Sequence, residues 1–135
     1  MDLALLLKTN GVLKTLLLRN NKLGDPEAQA LSDSLLKNQS LSVLDISHNE
    51  IGDIGGIALG AGLCANDGLG VFNAGWNQIR QKGMNALING LRVRVNLRRK
   101  TRRLLILMHS VMGLQTLGSA CWRVSQRIAI YAGWI

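Results

Sequence analysis

The side chains able to do acid–base, nucleophilic or metal chemistry are few and scattered. His48 and His109 are the two histidines, and neither has a cysteine or carboxylate at ligand spacing. Cys64 and Cys121 are the two cysteines, too few for a disulfide framework and too far apart in the chain for a zinc motif. They read as free thiols of a reducing compartment. The opening Met1-Asp2 lacks the basic start of a secretory signal, so the cytoplasm is the expected location. No nucleophile elbow, Walker loop or zinc-protease motif is present. The expectation is therefore no enzyme, no catalytic residue, no cofactor and no metal. What remains is the chemistry of recognition, in which Trp and Arg are the favoured anchors.

The elements that must position such residues follow from an internal repeat. Leu13, Leu41 and Leu69 recur with a 28-residue period, and so do Asn21, Asn49 and Asn77. Leu23, Ile51 and Ile79 keep the interval, as do Leu35, Leu63 and Leu91 and the unit-ending Asn10, Asn38 and Asn66. The unit reads L-x-x-L-x-L-x-x-N-x-I/L-G-D-x-G-x-x-A-L-x-x-x-L-x-x-N. In the second copy, Leu44 and Ile46 alternate on one face of a short strand. Asn49 stands where the chain turns, and a buried amide there can bond the backbone of its own and the next turn. Gly52 permits a tight turn, and Asp53 is placed to cap the helix that follows. Ala58, Leu59 and Leu63 give that helix one apolar face. In the first copy Asp25 is the expected cap, followed by Pro26 at the first helical position. Gly55, Gly56, Gly60 and Gly62 weaken the second helix but narrow it for packing.

The repeat resembles the ribonuclease-inhibitor type of leucine-rich repeat over residues 1 to about 93. Families with this unit include NOD-like receptor repeats, Ran GTPase-activating proteins and the leucine-rich repeat-containing protein 74 group. The run from Gly75 to Gly83 looks most like the last of these. The resemblance implies an α/β solenoid of about three 28-residue strand–helix units, strands on the concave side, helices outside, with protein binding as its activity. The candidate binding residues are then the outward strand rows: Leu17, Asp45 and Asn73, and Arg19, Ser47 and Gly75. Asn20, His48 and Trp76 form a third row, before the structural ladder of Asn21, Asn49 and Asn77. Regulation of a small GTPase, by analogy with one relative, needs particular residues that find no place in this chain.

The third copy departs from the unit. Arg80-Gln81 replaces Gly-Asp, and Phe72 and Ala74 replace core Leu or Ile, so a looser last repeat is expected. A fourth copy fails: Leu97 fits the first position, but Lys100, Arg102 and Leu105 occupy places that need Leu, Leu and Asn. The end of the third copy is expected to expose Leu87, Leu91 and its strand edge.

Charge divides the chain in the same region. Residues 1–67 hold eight acids and five basic residues, whereas 68–135 hold eleven basic residues and no acid. The expected organisation is a solenoid over 1–93, a basic linker over 94–103 and an apolar non-repeat tail, helical in part, over 104–135. Arg92 to Arg103 carries seven basic residues in twelve, without the interleaved aromatics that single-stranded nucleic acid uses. Nucleic acid is accordingly not the favoured partner. Leu104 to Trp122 carries no formal charge and is just long enough to reach across a bilayer, though His109, Ser110, Gln115, Thr116 and Ser119 dilute it. The leading expectation is a protein partner bound on the concave face. The alternative is a membrane- or nucleic-acid-associating protein using the basic run and apolar tail.

Overall fold

A computed structural model of the chain describes residues 3–97 and 105–107. Helices and strands alternate: α1 (Leu3–Thr9), β1 (Thr15–Leu17), α2 (Asp25–Leu35), β2 (Val43–Asp45), α3 (Asp53–Ala65), β3 (Val71–Asn73), α4 (Gln81–Leu97) and β4 (Leu105–Leu107). The strands form one parallel sheet in chain order. Thr15 faces Val43 and Val43 faces Val71, so the pairing register advances by one 28-residue period per strand.

The core is the set of repeated apolar positions. Leu41, Leu44, Ile46, Ile51, Leu59 and Leu63 of the second copy are all 0% exposed, sealed between sheet and helix and by neighbours on both sides. β1 lies at the end of the strand order and Leu13 beside it is 36% exposed, whereas Leu31 and Leu35 of α2, flanked by α1 and α3, are 3% and 0%. The third copy packs as tightly as the second, contrary to the expected loosening. Phe72 is 0% exposed and Ala74 3%; the larger ring takes up part of the volume that Ala74 gives up. Leu87 and Leu91 are also buried and belong to the same core cluster.

Two asparagine ladders hold the turns together. Asn49 Nδ2 donates to the carbonyls of Leu18, Ile46 and Ser47, and its Oδ1 accepts from the amides of Asn21 and Leu23. It thus joins its own turn to the preceding one, not the next. Asn77 does the same one period on, donating to Ile46 and Ala74 and accepting from Ile51. Asn21 lies at the edge of the stack, exposed, and its amide reaches only the Arg19 carbonyl. The second ladder runs along the helix ends: Asn38 donates to Leu7 and Asn10, and Asn66 to Leu35 and Asn38.

The aspartates cap in trans. α2 and α3 take Gly24 and Gly52 as N-caps, with Asp25 and Asp53 already inside the helices. Asp25 Oδ1 accepts from Gly52 and Gly55 at 2.7 and 2.9 Å, at the start of α3. Asp53 Oδ1 accepts from Arg80 and Gly83, both at 2.8 Å, at the start of α4. The orphan amides at each helix start are therefore served by the preceding repeat. The Gly24 amide is satisfied by Glu27 Oε2 instead. Close helix approach makes this reach practicable. A Cβ added at Gly60 would lie 2.6 Å from the Ala86 carbonyl oxygen, and one at Gly62 would lie 2.6 Å from Ser32 Oγ.

The fourth strand is the largest departure from expectation. β4 pairs in parallel with β3, Val71 facing Leu105, an interval longer than the 28-residue period of the other strands. α4, at 17 residues, outlasts α2 and α3, at 11 and 13, and continues through 93–97, so the start of the expected linker is helix. The next strand is displaced accordingly, and Leu105-Ile106-Leu107, from the tail expected to be helical in part, covers the edge of β3 as a strand.

Candidate protein-binding surface

The first of the expected rows is an alignment of the sheet. Leu17, Asp45 and Asn73 stand in register across β1, β2 and β3. Leu17 is 65% exposed, while Asp45 and Asn73 are half-buried. A parallel outward row, Thr15, Val43 and Val71, went unremarked in the sequence. The same period-two alternation, counted two residues back, gives it away. It adds two half-buried valines to the face.

Polar contacts tie the first row together. Asp45 Oδ2 accepts from Asn73 Nδ2 at 3.1 Å, and Oδ1 accepts from the Ser47 amide at 2.8 Å. Asn73 Oδ1 takes the Gly75 amide at 3.1 Å in the same pattern. Burial opposes ionisation of Asp45, but Ser47, Asn73 and the Arg19 charge outweigh it and hold the carboxyl below its ordinary value. The face therefore carries a fixed carboxylate at neutral pH.

Beyond the strands the chain bends sharply before each ladder asparagine. Asn20, His48 and Trp76 occupy this place with φ of 59°, 55° and 56°. Asn tolerates the left-handed region because its short side chain bonds locally, but a bulky residue there is an outlier. For Trp76 the strain is about 1–2 kcal/mol. Side chains of the second and third rows nevertheless meet in one array. The Arg19 guanidinium Nη2 lies 3.1 Å from His48 Nε2. The His48 ring stacks on Trp76, centroids 5.4 Å apart and planes 16° from parallel. Trp76 remains 43% exposed, and Arg19 is exposed.

Not every expected contact residue is available. Ser47 is 2% exposed and Gly75 is buried. Their backbones are engaged between turns: the Ser47 carbonyl accepts from Asn20, and the Gly75 carbonyl from His48. A short side chain at that depth does not rise past its neighbours, so Ser47 is removed from the set of contact residues. Leu17, Arg19, Asp45, His48, Asn73 and Trp76 all keep exposed or half-exposed surface.

A family model described as Leucine Rich repeat matches residues 37–60. That stretch contains β2, Asn49 and most of α3. The match supports a leucine-rich-repeat family. Repeats of this kind are generally non-enzymatic and bind proteins. A search of curated proteins returned no match. Among the described residues no group of three or more His, Cys, Asp or Glu side chains is arranged to hold a metal ion. No helix among the described residues is long and apolar enough to cross a membrane. Of the Leu104 to Trp122 stretch considered as a span or partial helix, residues 105–107 are strand, and the rest lies outside the described residues, as do Arg98 to Arg103 of the basic run.

Proposed function

We propose that the chain is a cytoplasmic, non-enzymatic protein-interaction module that binds through the concave face of a short leucine-rich-repeat solenoid. In this reading the solenoid is of ribonuclease-inhibitor type, most like the leucine-rich repeat-containing protein 74 group. Three 28-residue units span residues 1–93, followed by the basic linker and apolar tail. The contact residues are Leu17, Arg19, Asp45, His48, Asn73 and Trp76.

One observation carries the reading: a tryptophan with φ of 56°, 43% exposed, stacked on His48, itself held by Arg19. Gly or Asn would relieve the strain at this turn. A large exposed aromatic retained there in a strained backbone is better explained by contact with a partner than by packing. Affinity capture with the full chain and with its R19A/W76A variant is the test. A specific partner is lost or weakened at least tenfold by the variant. Retention of the same partner at the same affinity places binding elsewhere, with the helix face next to examine.

A further inference from the structure

The chemistry of the array narrows what it receives. A guanidinium only donates hydrogen bonds, so in the 3.1 Å contact His48 Nε2 is the acceptor. That contact uses one of the five N–H groups of Arg19. The Arg19 side chain has no other hydrogen bond and no ion pair among the described residues. Arg19 is exposed, so a positioned, incompletely paired cation stands at one end of the array and an indole at the other.

The unused N–H groups of Arg19 fit a visiting carboxylate. Asp45 is the neighbouring anion of the face, and both its oxygens already accept hydrogen bonds, from Ser47 and Asn73. A partner's carboxylate is repelled there and directed to Arg19.

Spacing completes the match. The 3.1 Å and 5.4 Å contacts in succession keep the guanidinium within about 10 Å of the indole, and residues i and i+2 of an extended peptide, on one face about 6.5–7 Å apart, fall inside that span.

We infer that the Arg19–His48–Trp76 array is a subsite for an extended acidic peptide segment. The carboxylate of one residue sits on the Arg19 guanidinium. An apolar or aromatic side chain two positions away lies on the Trp76 indole. His48 is a positioning residue that fixes both. The inference rests on the concave-face reading and specifies its partner.

The test is selection of a random linear peptide library on the full chain, followed by affinity measurement with the enriched synthetic peptides. Enriched peptides carry Asp or Glu two residues from an apolar or aromatic residue. Replacing that acid by its amide weakens binding about tenfold to the wild-type chain and has little further effect on R19Q. Binding of the acidic form weakens as salt is raised. W76A loses affinity for acidic and amide peptides alike. Enrichment of basic or uncharged peptides, or equal binding by R19Q, overturns the inference, and so does the absence of any enriched peptide. These failures leave the concave-face reading intact, since that falls only if a captured protein partner binds R19A/W76A unchanged. Thermal melts of R19Q and W76A confirm that each remains folded.

Discussion

Replacing Asn49 with Ala removes every bond of the central ladder amide, yet the loss is smaller than five hydrogen bonds. Two of the carbonyls it serves have second donors: Ile46 also accepts from Asn77 Nδ2, and Ser47 from the Asn20 amide. Three groups are left without partners: the Leu18 carbonyl and the amides of Asn21 and Leu23. Each orphaned group costs about 1–3 kcal/mol if it stays dry. Asn21 is exposed and Leu18 and Leu23 are half-buried, so water reaches part of the site. A loss of about 2–3 kcal/mol follows, at the low end of three full penalties. Urea denaturation of the full chain, followed by circular dichroism, should show the midpoint lowered by about 1–2 M at typical slopes for small proteins. Asn21→Ala is the internal control, because its amide donates only to the Arg19 carbonyl, and it should cost no more than about 1 kcal/mol. Equal losses in the two variants, or a loss below about 0.5 kcal/mol in Asn49→Ala, would refute the ladder account.

Asp53→Ala should cost about 1 kcal/mol, with faster amide exchange at Arg80 and Gly83 rather than at the start of α3. Gly60→Ala should destabilise by about 1–3 kcal/mol, despite the better helix propensity of Ala, because the new methyl meets the Ala86 carbonyl; a stabilised variant would contradict the close helix approach. Asp45 is held below its ordinary value, so its stabilising contribution is present at neutral pH and is lost as pH falls below about 4 through the folded pKa. Asp45→Asn should flatten that acid limb, and an unchanged stability profile against pH would remove the carboxylate from the account. Trp76→Asn exchanges relief of about 1–2 kcal/mol of backbone strain for loss of a ring stack worth about 0.5–1.5 kcal/mol. Its stability should stay within about 1 kcal/mol of wild type while partner binding falls, and a large destabilisation would mark Trp76 as a packing residue.

The α/β repeat fold was legible because stacked repeats write their period into the sequence. Leu41, Ile51 and Leu63 are buried as their spacing implies, since the middle repeat has a neighbour on each side. Features that pass between repeats were harder to read. Asp25 and Asp53 recur at one position whether they cap their own helix or the next, so periodicity does not distinguish the two. β4 was hidden because the longer α4 and the basic run shift Leu105 out of register, and a fixed-period comparison places Lys100 and Arg102 there instead. On the candidate surface, the alternation places Leu17, Asp45 and Asn73 correctly. Depth is another matter, and Ser47 is lost between neighbouring turns that strand alternation does not describe. The stack of His48 on Trp76 follows from a left-handed turn that Asn20 hints at and Trp76 conceals.

The most direct measurement of the concave-face claim is amide hydrogen exchange on the full chain, alone and saturated with its captured partner. Added protection is predicted at residues 15–20, 43–48 and 71–76, the three strands and the turns bearing Arg19, His48 and Trp76. Protection confined to α2, α3 and α4, with those segments unchanged, would contradict it.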